Sequence, residues 1–98
     1  MPGPDESLSR SRVMLDGRVQ GVGFRQWCAD AARARKVAGW VRNRRDGRVE
    51  AVFEGPATAV AQMVQWCRSG PPGARVDGIE VSSEPPESLS GFRVAATE

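Results

Sequence analysis

The sequence has no histidine. That removes the usual general base and the commonest metal ligand, leaving Cys, Asp, Glu, Arg, Lys and Asn to carry any chemistry. Uninterrupted apolar stretches are short, and the first ten residues, MPGPDESLSR, carry acids and prolines where a signal peptide needs an apolar region. The expectation is a cytoplasmic protein with no membrane association, and its two cysteines, Cys28 and Cys67, are expected to be free thiols. An excess of charge of one sign is also missing. The formal net charge is only +2, so basic character can act only through local clusters and gives no general argument for nucleic acid.

What is present is ordinary for a globular domain: hydrophobic residues make up 40% and charged residues 27%, too apolar for a disordered chain. At 98 residues there is room for one core. Residues 1 to 10 read as a flexible leader, and residues 11 to 98 as a single domain.

Structure is expected to begin near Arg12, with a strand over residues 12 to 16 that places Val13 and Leu15 on one face. Gly17, Gly21 and Gly23 then crowd into seven residues. From Phe24 to Lys36 there is no Gly or Pro, and Phe24, Trp27, Cys28 and Ala31 share one helical face. Residues 37 to 43 are β-prone. Asp46-Gly47 signals a hairpin into RVEAVFE, where Val49, Ala51 and Phe53 alternate. Val60, Met63, Val64 and Cys67 mark a second amphipathic helix that ends at Gly70-Pro71-Pro72-Gly73. Residues 75 to 83 and 91 to 95 read as strands, with Ile79, Val81, Phe92 and Val94 as buried members. The order β-α-β-β-α-β plus a short C-terminal strand gives an α+β, ferredoxin-like split βαβ sandwich, with two helices on one face of an antiparallel sheet.

Two stretches can carry chemistry. In GRVQGVGFR, residues 17 to 25, the glycines can turn successive backbone N–H groups inward, and the following helix adds its unpaired N-terminal donors. Such a cradle suits an anion the size of phosphate, and the planar fork of Arg25 could reach the same anion. On the residues alone, a tight strand-to-helix turn with a solvated Arg25 is the favoured reading. The stretch is not a P-loop, because Phe24 and Arg25 follow Gly23 where Gly-Lys-Ser/Thr is needed. Nor is it a dinucleotide fingerprint, because Gln26 replaces the third glycine. In GWVRN, residues 39 to 43, Asn43 offers an amide that could orient a water, or it could simply open the turn toward Asp46-Gly47.

Taken together, GRVQGVGFR and GWVRN, followed by Asp46, Gly47, Val49 and Glu50, resemble the acylphosphatase family in order and spacing. Trp66-Cys67 with Gly70-Pro71-Pro72, and Phe92-Arg93-Val94, extend the resemblance over roughly residues 12 to 95. It implies an enzyme that hydrolyses the carboxyl-phosphate bond of small acyl phosphates, giving carboxylate and inorganic phosphate. Arg25 and the backbone amides of Gln20, Gly21, Val22, Gly23 and Phe24 would hold the phosphoryl group, and Asn43 would position the attacking water. One departure is local: relatives commonly have glycine at the end of the first helix, where this chain reads Arg35-Lys36-Val37.

Such chemistry tolerates the missing histidine. The leaving carboxylate needs little help from an acid, and a loose phosphoryl-transfer transition state is served mainly by positioning and by donors facing the phosphoryl oxygens. Neither a metal nor a cofactor is expected, and a monomer acting on a small molecule is the default. A cysteine nucleophile is disfavoured, because the arginine six positions downstream that a tyrosine-phosphatase loop requires is Ala34 after Cys28 and Gly73 after Cys67. An RNA-binding module shares the topology, but here the glycine-rich segment precedes a helix instead of displaying stacking aromatics on a central strand. Arg42, Arg44, Arg45 and Arg48 cluster near the hairpin and are expected to be solvated, so no specific nucleic-acid partner is expected. An accessory domain serving a larger carbamoyl-phosphate-using machine is the second alternative.

Overall fold

The computed structural model describes residues 7–98. The expected elements occur in the expected order: β1 (Leu8–Arg18), α1 (Phe24–Ala34), β2 (Ala38–Asn43), β3 (Val49–Pro56), α2 (Ala57–Cys67), β4 (Arg75–Ser83) and β5 (Phe92–Val94). The sheet order is β4-β1-β3-β2-β5. Both helices pack on one face, α1 over β2 and β5 and α2 over β1 and β3.

Three expectations need correction. Residues 1–6 of the supposed leader lie outside the described residues, but its last three residues belong to β1. Leu8, Ser9 and Arg10 pair with Pro56, Gly55 and Glu54, and the Arg10 guanidinium is buried against Glu54 and Glu84. The sheet is mixed, since β5 runs parallel to β2. The reason is topological: β4 is antiparallel to β1 and finishes at the same end of the sheet where β2 begins, so a chain crossing directly to the far side and running back up is parallel to β2. Finally, Val81 and Val94 are 43% and 41% exposed, because each sits on an edge strand and Val94 borders the open hollow at the start of α1.

The core is otherwise where the apolar periods put it. Val13, Leu15, Val41, Val49, Ala51 and Phe53 from the sheet meet Phe24, Cys28, Ala29 and Ala32 of α1 and Val60, Met63 and Cys67 of α2. Phe92 is also buried and stacks on Phe53, with ring centroids 5.8 Å apart. Trp27, Ala31 and Val64 lie at the margin, partly buried.

The end of α1 shows how the missing glycine is accommodated. Lys36 adopts the left-handed conformation, φ 57°. The Lys36 N–H donates to Arg33 O at 3.1 Å and the Val37 N–H to Ala32 O at 2.9 Å, which is the bonding of a Schellman cap. A side chain in that conformation costs about 1–2 kcal/mol, and glycine's extra freedom in the unfolded chain returns about 0.4–1 kcal/mol of that. Lys36→Gly should therefore stabilise the protein, raising Tm by about 3–5 °C. Thermal unfolding followed by circular dichroism checks this, and an unchanged or lower Tm would count against the strain argument.

The face of the sheet away from the helices holds a charged network that alternation did not foretell. β3 is buried on both sides, so Glu50 and Glu54 are as inaccessible as its apolar residues. Glu50 accepts from Arg42 at 2.9 Å, from Arg44 at 3.0 Å and from Arg12. Glu84 bridges Arg10 at 2.9 Å and Arg12 at 2.7 Å. Trp40 lies under both Arg12 and Arg42. Glu54 accepts the backbone N–H groups of Glu87 and Leu89, each at 2.7 Å, and so anchors the segment that carries the chain to β5.

Burial pushes the Glu50 and Glu54 carboxyls up, but the donors outweigh it and both lie below the usual carboxylate range: Arg42 and Arg12 for Glu50, the two backbone N–H groups and Arg10 for Glu54. Arg12 and Arg10 lower Glu84 in the same way. A carboxyl that is more acidic in the folded than in the unfolded state stabilises the fold above its unfolded value, near 4.3, and loses that contribution as pH falls through the folded value. Stability should thus be full at neutral pH and decline below about pH 5. Glu54→Gln should cost roughly 2 kcal/mol at pH 7 and flatten the acid decline. Urea titrations between pH 7 and pH 3 measure both, and parallel curves for variant and parent would contradict the assignment.

Candidate functional site

The strand directions bring one set of segments to a single end of the molecule: the loop after β1, the start of α1, the C-terminal ends of β2 and β5, and the turn between β2 and β3. Both motifs singled out from sequence lie there.

In the loop, Gly21 and Gly23 have φ of 74° and 78°. A Cβ at either position would meet nothing within 4 Å. Glycine is required there by backbone conformation alone, and the space beside the backbone is open to a ligand. The helix begins without a side-chain cap and with no acidic residue in its first turn, and Gly23 is the N-cap. Its first internal bond runs from the Trp27 N–H to Gly23 O, 3.0 Å. Among the described residues, no hydrogen bond is made by the backbone N–H groups from Gly21 to Gln26. These donors lie at the positive end of the helix dipole.

Gly21, Gly23, Phe24, Arg25, Gln26 and Val94 line a hollow of about 270 Å³. The Arg25 side chain is half-buried, and among the described residues it has no carboxylate or hydrogen-bond partner. By contrast Arg42, Arg44 and Arg48 of the basic cluster are engaged by Glu50 and Asp46, so they are not simply solvated. The first turn is rigid, because Phe24 is 2% exposed and the ring of Trp27 packs edge-on against it, centroids 5.4 Å apart. Phe24 can therefore serve the hollow only through its backbone. Val22 packs on the core margin and does not line the hollow.

Asn43 ends β2 opposite Val49. It is half-buried and its side-chain amide is uncommitted among the described residues, while its carbonyl accepts the Glu98 N–H at 3.0 Å. Asn43 does not line the hollow around Arg25. What joins the two motifs is Gln20, whose side-chain nitrogen donates to Arg44 O at 2.7 Å and Arg48 O at 2.9 Å. Sequence reading gave Gln20 only a backbone role and did not find Val94 or Gln26 at the site; no periodicity signals a side chain that reaches across to another loop.

Cys28 and Cys67 are free and buried. Their mutual hydrogen bond and burial push the Cys28 thiol well above its usual range, the opposite of an activated nucleophile. Among the described residues, no group of three or more His, Cys, Asp or Glu side chains is arranged to hold a metal ion, and no helix is long and apolar enough to cross a membrane.

The sequence and the fold match those of known proteins. The family model described as Acylphosphatase matches residues 11–94. An acylphosphatase from Azorhizobium caulinodans is 57% identical over 86 residues, covering 87% of this chain and 92% of that one. Among solved structures, acylphosphatase from Bacillus subtilis superposes with a TM-score of 0.85 at 42% identity, covering 91% of this chain and 99% of that one. An acylphosphatase from Coxiella burnetii gives 0.87 at 30% identity, covering 95% and 100%. The chain belongs to the acylphosphatase family of enzymes.

Proposed function

We propose that the protein hydrolyses small acyl phosphates, with Arg25 and the backbone N–H groups of Gln20, Gly21, Val22, Gly23 and Phe24 holding the phosphoryl group and Asn43 orienting the attacking water. The observation that carries this reading is the uncapped start of α1: Gly21, Gly23 and Phe24, whose N–H groups are unpaired among the described residues, line one hollow with an uncommitted Arg25. Helix dipole, turned-in amides and guanidinium all favour a multiply charged anion there.

The water oxygen bonds to phosphorus as the bond from phosphorus to the acyl oxygen breaks. The bonding pair leaves with the carboxylate, and a water proton passes to a phosphoryl oxygen or to solvent. The carboxylate leaves without an acid catalyst, and the charge on the phosphoryl oxygens meets fixed donors. Asn43 is a poor proton acceptor, so its part is to orient the water, donating and accepting hydrogen bonds. In this reading the enzyme works as a cytoplasmic monomer, and every phosphoryl contact is a protein group.

The test is turnover of acetyl phosphate and benzoyl phosphate by the purified protein, before and after thorough chelation, with inorganic phosphate as inhibitor. Turnover that survives chelation, with competitive inhibition by phosphate, is the expected result. No turnover of either substrate would defeat the reading, and loss on chelation restored by one added metal would defeat its protein-only cradle.

A further inference from the structure

Resting on the proposed active site, we infer that the side chain of Gln20 is a positioning residue for hydrolysis, a clamp that sets Asn43 against the phosphate loop. The loop and the β2–β3 turn are separate segments, and the charged network lies on the open face of the sheet. Gln20 links the two segments at the site end, through two short hydrogen bonds from one nitrogen.

The two acceptors sit at the neck of the turn. Arg44 O also accepts the Gly47 N–H at 3.1 Å, and Arg48 O accepts the Arg44 N–H at 2.8 Å. By filling the remaining acceptor capacity of both carbonyls, the amide fixes the Arg44–Arg45 peptide and the Arg48 carbonyl that holds the Arg44 N–H, and so the residue that follows Asn43. At the other end, Gln20 is flanked by Val19, which is 1% exposed in the core, and by Gly21, which lines the hollow. A shift of the turn would therefore pull on the loop, and a shift of the loop on the turn. Two carbonyl oxygens also dictate the chemistry required of the clamp: they need two protons from a neutral nitrogen, which a primary amide supplies and a carboxylate cannot.

Positioning of this kind acts on the reaction more than on the ground state. A displacement of about 1 Å of a catalytic group can cost up to about a hundredfold in rate. The experiment uses Gln20→Met, which keeps the length and removes the donors, and Gln20→Glu. For folded Gln20→Met, kcat should fall about tenfold, with the inhibition constant of inorganic phosphate nearly unchanged. In Asn43→Ala protein the same change should cost little more, because the group being positioned is already gone. Gln20→Glu places a carboxylate against two carbonyls. That raises its pKa, and only the protonated form can donate, so its activity relative to the parent should climb from pH 8 to pH 5.

Unchanged kcat in Gln20→Met, a loss appearing in phosphate affinity instead of kcat, or full additivity with Asn43→Ala would each overturn the clamp. Should Gln20→Met fail to fold, the pH profile of Gln20→Glu decides, and a flat ratio overturns the inference. Failure of the active site itself is separately visible, because Asn43→Ala would then retain turnover on its own.

Discussion

Arg25→Ala should lower kcat/KM by roughly a thousandfold, the upper end of what loss of one preorganised donor set costs, and should weaken inhibition by inorganic phosphate about tenfold. Both effects follow from one placement: the guanidinium is in the first turn of α1, beside unpaired N–H groups, with nothing else to bond among the described residues. Arg25→Lys separates charge from geometry. An ammonium keeps the positive charge but cannot offer two parallel donors in a plane, so this variant should stay at least about tenfold below the parent. The variants should fold normally, since among the described residues the arginine forms no structural ion pair. Steady-state kinetics with benzoyl phosphate and phosphate inhibition constants supply the measurements. Near-normal turnover in folded Arg25→Ala would remove the arginine from the site, and full rescue by lysine would reduce its part to charge alone.

For Asn43→Ala the expected pattern is different. The amide orients water and does not hold phosphate in this reading, so kcat should drop by about a hundredfold or more while the phosphate inhibition constant stays within about twofold. The contrast between the two residues is itself the check. Parallel losses in kcat and phosphate affinity at Asn43 would make it a ligand of the phosphoryl group. Normal turnover in folded forms of both variants would dismiss this end of the molecule as the site.

The sequence made much of this legible because local rules and the fold agree there. Val60, Met63 and Cys67 repeat with the helical period and are buried, and Val13 and Leu15 alternate and are buried. Gly21 and Gly23 announced a loop that only glycine enters easily, and φ at both is positive. What stayed hidden depends on partners far along the chain. Glu50 and Glu54 occupy the positions that alternation assigns to solvent, yet they are covered by Arg10, Arg12, Arg42, Trp40 and the segment around Glu87 and Leu89. Leu8 to Arg10 resembled a leader because their reason to be a strand is β3, not their own composition. The direction of β5 was likewise set by the path across the sheet. Gln20 illustrates the same limit at the site: its backbone role was implied by family likeness, while the reach of its side chain to Arg44 and Arg48 required the fold.

The interior placement of β1, between β4 and β3, bears on how the protein comes to be folded at all. Of the five described strands it is the earliest in the chain, but both its neighbours come much later: Leu15 lies opposite Val49 of β3 and Ile79 of β4. On a ribosome adding about 5–20 residues per second, β1 would spend seconds without a partner, with Val13 and Leu15 unprotected. The helix α2 that must cover it is also made after β3. Pairings so distant in sequence place refolding toward the slow, millisecond-to-second range for small domains. The emerging chain thus passes through an interval in which a chaperone, or another unfinished copy, can reach a strand that ends up paired on both sides within the sheet.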